Sequence, residues 1–327
     1  MRRYATMVCA FAISLLSATA ALASPPVTVL HQFDPLQGQM PESITADDDG
    51  NLYMSVSGTL RKYTTDHQLI TVATLPIPPD AATLGVKVGP EGYVYVVSAN
   101  FAPSSAAAFV WRVSPAGEVS LFATLPPEGI PNDLVFDPEG NMYVTDSGLG
   151  QIWKIDPAGH PQVWFAHPLL LGNPANPVGV IHALGANGIA FDRFGRHLYV
   201  SNTDYGRIVR IGFHRGRARG IEVVATSDLL LGADGIAFDV LGILYVAVNG
   251  SDSIVTVGHN GAVSVLVQGA PLDAPSSLVF GARCSDRHTL YVTNFAIQRA
   301  LGFKPGAPQP SLVSLRVPFP GLDLVLP

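Results

Sequence analysis

Four side chains with oxygen donors recur at one register of this sequence: Glu42, Asn132, Asn187 and Asp234. Each opens a short apolar segment, as in Asn187-Gly-Ile-Ala-Phe and Asp234-Gly-Ile-Ala-Phe. Two carboxylates and two amide carbonyls, with no Cys or His among them, form a hard-donor set. It suits Ca²⁺ first, then Mg²⁺ or Mn²⁺, with Zn²⁺ less favoured. A cation held there with open positions polarises a carbonyl or phosphoryl oxygen towards attack by water. Singly, each residue reads as an ordinary strand-opening Asn or Asp that bonds its own backbone. The shared register turns four ordinary positions into a candidate site.

That register belongs to a repeat. The first strand of the unit recurs at Glu42-Ser-Ile-Thr-Ala, Leu84-Gly-Val-Lys-Val, Asn132-Asp-Leu-Val-Phe, Asn187-Gly-Ile-Ala-Phe, Asp234-Gly-Ile-Ala-Phe and Ser276-Ser-Leu-Val-Phe, at intervals of 42, 48, 55, 47 and 42 residues. A second strand follows each, with Tyr at its second position, as in Met142-Tyr-Val-Thr-Asp and Leu198-Tyr-Val-Ser-Asn. Turn sequences such as Asp49-Gly-Asn and Pro138-Glu-Gly separate the two. A third strand (Gln151-Ile-Trp-Lys-Ile) and an outer one (Ile221-Glu-Val-Val-Ala) complete the unit. Six copies of this length predict an all-β, six-bladed β-propeller with four-stranded blades. In that architecture the first strands line the axis, so the four donors converge on one face.

The ends must close the ring to avoid an unpaired sheet edge. Val27 to Phe33 resembles an outer strand without a blade and fits beside Arg299 to Lys304; Leu312 to Val317 competes for that role. From His167 to Ala186 the chain is rich in Pro, Leu and Gly and matches no part of the repeat, as expected of a lid or binding loop.

Arg2 and Arg3, an apolar run from Ala5 to Leu16 and the small-x-small pattern Ala21-Leu22-Ala23 read as a secretory leader over residues 1–23. The apolar run is shorter than the roughly 20 residues that span a bilayer. One propeller domain over 24–327, periplasmic or secreted and without a membrane anchor, is the expectation. Removing the leader takes the formal charge from -6 to -8, which excludes a phosphate-binding basic stripe and hence nucleic acid. Cys9 leaves with the leader, so Cys284 has no partner within the chain for a disulfide.

Over nearly its whole mature length the chain resembles the SMP-30/gluconolactonase/luciferin-regenerating enzyme family, with paraoxonase and diisopropyl fluorophosphatase as more distant relatives. The resemblance rests on Pro41-Glu42-Ser, Pro131-Asn132-Asp, Asn187-Gly-Ile and Ala233-Asp234-Gly, in the family's order and in different blades. It implies that Glu42, Asn187, Asp234 and Asn132 hold a divalent cation. Asp234 would be the general base or nucleophile and Asn132 a ligand or substrate contact. The chemistry implied is hydrolysis of a small-molecule lactone or related ester. Gluconolactonase-like members carry an Arg shortly before the Asn matched by Asn132, where this chain has Gly129-Ile-Pro. A more apolar substrate than a sugar lactone suits Ile130, Leu84 and the Leu-rich loop.

Further polar residues fall at the same face: Asp146, Asn202 and Asn294 at second-strand ends, with Asn249 and Asn100 close by. They read either as bonded to the ligands or as turn and channel residues. His182, five residues before Asn187, is an alternative base, and His167 begins the same loop. No Gly-x-Ser-x-Gly, phosphate loop or His-x-x-x-His pair is present. Two other readings stand beside the hydrolase. One is a non-catalytic propeller that binds a ligand or protein. The other is a metal-free condensing enzyme like strictosidine synthase, against which Asn187 and Asp234 as metal ligands speak.

Overall fold

The computed structural model describes residues 24–100, 108–175 and 183–322. Its strands form six antiparallel sheets of four, and the innermost strands contact one another in cyclic order, closing the ring of a six-bladed propeller. These innermost strands are Pro41–Ala46, Ala81–Val88, Pro131–Phe136, Ala186–Phe191, Ala233–Phe238 and Pro275–Phe280, one for each of blades one to six. The leader read at residues 1–23 lies outside the described residues, as does His182.

The motif residues explain how the blades stack. The second-strand Tyr of one blade meets, edge to face, the Phe that ends the first strand of the next. Ring centroids are 5.2 Å apart for Tyr95–Phe136, 4.9 Å for Tyr199–Phe238 and 5.3 Å for Tyr245–Phe280. Each such pair contributes about 0.5–1.5 kcal/mol beyond the area it buries. The turns between first and second strands also repeat: Asp47, Asp137 and Asp239 each accept, through Oδ1, from the amide four residues on. The positive φ that these turns need falls on Gly50, Gly140 and Gly242.

Ring closure differs from the sequence expectation in one respect. The outer strand of blade six is Val27–Gln32, but it pairs with Ser311–Arg316, which is the third strand of that blade and not a rival. Arg299 to Lys304 forms no strand. It begins inside a helical turn at Ile297–Ala300, within an insertion between the second and third strands. Arg299 and Lys304 anchor that insertion to Asp252 and Asp273, and this excursion hides the third strand from a search by repeat spacing.

Candidate active site and metal centre

In every blade the pairing of the first strand with the second slips at one point. The slip lies between Pro41 and Ser43, Thr83 and Val86, Pro131 and Leu134, Ala186 and Ile189, Ala233 and Ile236, and Pro275 and Ser277. Glu42, Leu84, Asn132, Asn187, Asp234 and Ser276 sit inside these slips. A bulge frees a residue from the ladder and re-aims its side chain. The six aligned positions are therefore the bulge residues of the six innermost strands, at the mouth of the axis.

The residue after each bulge shows why Gly follows Asn187 and Asp234. A Cβ on Gly188 would lie 2.4 Å from the carbonyl oxygen of Asp234, and one on Gly235 would lie 2.8 Å from that of Ser276. Neighbouring inner strands touch backbone to backbone here. Hydroxyls from second strands lock the same points: Ser201 Oγ donates to the carbonyl of Asp234 at 2.6 Å, Ser55 Oγ to that of Leu84 at 2.6 Å and Thr293 Oγ1 to that of Glu42 at 3.0 Å. These Ser and Thr residues were visible in the repeats, but their partners lie in the next blade.

Glu42 and Asp234 are 5% and 6% exposed, and Asn132 and Asn187 are equally buried. Blade six separates the strands of Glu42 and Asp234, yet the Asp234 charge still acts on Glu42. Burial first, then Asp234 and Asp133, pushes the Glu42 carboxyl well above the ordinary range. Burial also dominates at Asp234, with the Asp133 charge adding to it, so its carboxyl is raised well above the ordinary range although Asn249 and Asn187 favour its charged form. Two buried carboxylates held this way are costly unless a cation shares them.

The hydrogen bonds show which atoms of the set are already engaged. Asn249 Nδ2 donates to Asp234 Oδ2 at 3.0 Å. Asn187 Nδ2 donates to Thr203 Oγ1 at 3.1 Å, and Thr203 in turn donates to the carbonyl of Ala233. Glu42 Oε2 and Asn187 Oδ1 are buried and have no partner among the described residues. Unpaired buried acceptors are rare and costly, so this pair fits a hard cation. No group of three or more His, Cys, Asp or Glu placed to hold a metal ion forms among the described residues, so the candidate set depends on the two amides beside Glu42 and Asp234.

The other polar residues of this face are occupied. Asp146 Oδ1 accepts from the amides of Ile130 and Leu149, at 2.9 and 3.0 Å, and its Oδ2 from Trp153 Nε1 at 2.9 Å. Asn202 Nδ2 donates to the carbonyls of Leu169 and Leu171, and Asn294 Nδ2 to that of Pro271. Each of these second-strand ends thus pins the loop that leads into its own blade. Asn100 is buried at the corresponding end in blade two, and His167 caps a short helical turn by accepting from the Leu169 amide. Of the flanking residues, Asn249 touches a candidate ligand. Thr203 and Asp133 also belong to the site but were not singled out in the sequence. Thr203 follows a strand end, and Asp133 stands where three other blades have Gly.

The long loop is fastened at its neck. Asp204 Oδ2 accepts from the amides of Asn173 and Leu184, at 2.9 and 2.7 Å, and a Cβ on Gly185 would lie 2.0 Å from the carbonyl oxygen of Leu170. Leu184 thereby packs on a cluster of Leu84, Ala99 and Ile130. The structure so brings Leu84, Ile130 and the loop together beside the carboxylates.

The sequence profile described as the SMP-30/Gluconolactonase/LRE-like region matches residues 106–296, which is more than half of the chain. The chain belongs to the SMP-30/gluconolactonase/LRE-like family. The matched span carries Asn132, Asn187 and Asp234, while Glu42 precedes it. Among solved structures, this family member is similar to the calcium-binding protein regucalcin of Agrobacterium tumefaciens, with TM-score 0.67 and 17% identity over 93% of this chain and 97% of that one. It is also similar to a gluconolactonase of Xanthomonas campestris, with TM-score 0.63 and 17% identity over 91% and 93% of the two chains. Virginiamycin B lyase of Staphylococcus aureus shares the fold too, with TM-score 0.58 and 14% identity over 90% and 100%. No curated protein matches the sequence.

Proposed function

We propose that the protein is a divalent-cation-dependent hydrolase of lactones or related esters, with a substrate more apolar than a sugar lactone. The observation that carries this reading is the set of buried bulge residues Glu42, Asn132, Asn187 and Asp234 on the innermost strands, with two unpartnered acceptors among them, Glu42 Oε2 and Asn187 Oδ1. Glu42, Asn187, Asp234 and Asn132 would hold the cation, with Ca²⁺ the first choice for an all-oxygen set and Mg²⁺, Mn²⁺ or Zn²⁺ behind it. Membership of a family with gluconolactonase and a calcium-binding protein among the structural neighbours supports both points. Bound there, the ion supplies Lewis acidity to a substrate carbonyl.

The chain supplies the rest. Asn249 holds Oδ2 of Asp234 and would orient the carboxylate to take a proton from an attacking water. Burial and the nearby Asp133 make the ionised Asp234 a stronger base than a solvated aspartate. Ile130, in the region where gluconolactonase-like members carry an Arg, turns into the cluster of Leu84, Ala99 and Leu184. Gly129 has no room for a side chain, since a Cβ there would lie 2.4 Å from Asp146 Oδ2. An apolar acyl chain or ring meets this wall better than a row of hydroxyls does.

The deciding assay offers the protein aliphatic, sugar and aryl lactones and one phosphotriester. Each is run after chelation, after restoring Ca²⁺, Mn²⁺ or Zn²⁺, and with Asp234→Ala. Turnover that returns with the ion, favours aliphatic lactones and disappears in Asp234→Ala supports the reading. Product mass separates hydrolysis, which adds water, from the elimination expected of a lyase. No turnover with cation binding intact would make the ion a structural pin and the protein a binding propeller.

A further inference from the structure

Four of the six blade interfaces carry the Tyr–Phe pair described above, the fourth being Tyr143–Phe191 with ring centroids 6.1 Å apart. The other two lack the Phe. In register, the place of Phe136 is held by Val88 in blade two and by Ala46 in blade one, so Tyr53 and Tyr291 have no such ring beside them. Both interfaces open into clefts, of about 780 Å³ beside Tyr53 and about 650 Å³ beside Tyr291. Space of this size suits a small molecule.

The cleft between blades one and two lies towards the face away from the bulge residues, beside the turns around Asp49 and Pro90. Tyr53, Ile70, Val72, Val88 and Val94 give it apolar walls. Lys62 is already engaged, its Nζ 5.1 Å from the Tyr53 ring centroid and 4.0 Å from Asp47 Oδ2. Lys87 stands at the inner end, because it also lines an axial cavity of about 60 Å³ with Val135, Ala190, Ala237 and Phe280 from four other blades. Among the described residues the Lys87 ammonium has no hydrogen bond and no ion pair within 4 Å. Burial, only partly opposed by the Asp133 charge, lowers its pKa below the ordinary lysine value. The outer end is closed by Gly117, where a Cβ would lie 2.8 Å from the carbonyl oxygen of Val72.

We propose that this cleft is a second binding site, separate from the axial carboxylates, for a small aromatic monocarboxylate whose ring lies beside Tyr53 and whose carboxylate meets Lys87. The ring takes the place that Phe holds at four other interfaces and restores the contact that Val88 leaves out. The carboxylate gives the Lys87 ammonium the charge-assisted partner that the chain does not supply. Asp47 is occupied by Asn51 and Lys62, while Asp48 and Asp49 stand exposed at the entrance. Their charges select against polyanions such as nucleotides and keep the ligand to a single carboxylate.

Calorimetry and NMR with benzoate test this on the full chain, kept in chelator so that no cation draws the carboxylate to the axis. Benzamide, Lys87→Met and Val88→Phe are the comparisons. The expected result is millimolar or tighter benzoate binding, at least about tenfold weaker for benzamide and in each variant, with intermolecular NOEs from the benzoate ring to Tyr53. Val88→Phe fills the gap with the ring found at other interfaces, and Lys87→Met removes the charge at the other end. Thermal melts show whether each is folded, and either one alone decides the matter. A wild-type chain that does not bind benzoate overturns the proposal, as does affinity unchanged in either folded variant. Bound benzoate without NOEs to Tyr53 overturns it too. Because no cation takes part, each of these outcomes leaves the hydrolase reading to its own assay.

Discussion

Asn249 holds Asp234 from the far end of the same blade's second strand, Nδ2 to Oδ2 at 3.0 Å. The bond favours the charged form of Asp234 and fixes the position of its Oδ2. Removing it in Asn249→Ala leaves the fold in place and loosens the base. Activity should fall about 10–100-fold, as for outer partners of metal ligands generally. Because the bond favours the charged form of Asp234, the acidic limb of the pH–rate profile should also move to higher pH. Unchanged kcat/KM and profile would show that Asp234 is oriented without Asn249.

Stability should carry the signature of the raised carboxyls. Glu42 and Asp234 titrate above their unfolded range, so the folded, cation-free chain holds more protons than the unfolded one above about pH 4. Whatever stability the neutral carboxyls contribute is fully present below the unfolded values. It is lost as pH rises through the raised folded ones. Melting temperatures in chelator should therefore decline from mildly acidic to neutral pH, and saturating Ca²⁺ should flatten that decline. Parallel curves with and without the ion would contradict the assignment of both carboxyls to the cation.

Glu42→Gln separates stability from binding. It removes one of two repelling buried charges while keeping the side-chain shape, so the cation-free protein should melt higher or unchanged while Ca²⁺ affinity drops about 100-fold or more. Thermal melts and calorimetry on the same sample check both. A lower melting temperature with affinity intact would assign Glu42 to the core of the ring.

Gly188→Ala probes the contact between inner strands. The added methyl meets the carbonyl of Asp234 at 2.4 Å in a region of backbone against backbone, where neither partner is a flexible side-chain end. A loss of about 1–3 kcal/mol is expected from overpacking, read by denaturant unfolding, with activity falling further because Asp234 shifts. A neutral substitution would mean that blades four and five slide apart readily.

Thr203→Val tests a residue found through the fold. Thr203 accepts from Asn187 and donates to the carbonyl before Asp234, linking two candidate ligands across blades. Loss of the hydroxyl should cost about 1–2 kcal/mol of stability and leave Asn187 free to turn, weakening Ca²⁺ binding. Affinity that stays at the wild-type value would confine Thr203 to a structural role.

The local code determined a great deal. Six Tyr-containing strand pairs with Asp-x-x-Gly-type turns specified blades, because strand alternation and turn chemistry act within a few residues. The register of Glu42, Asn132, Asn187 and Asp234 was legible for the same reason. Contacts between blades were not. That Ser201 bonds the backbone of Asp234, or that Thr203 bonds the carbonyl of Ala233, depends on closing the ring, which joins residues tens of positions apart. Asp146 and Asn202 illustrate the limit best: they stand one register position before Asn249 at their second-strand ends, yet their side chains hold incoming loops while Asn249 holds a carboxylate. Residue type and spacing settle which groups arrive at the mouth of the channel. Only the packed ring decides which of their atoms are already bonded and which remain open, because a buried polar atom takes whatever partner the neighbouring blade presents.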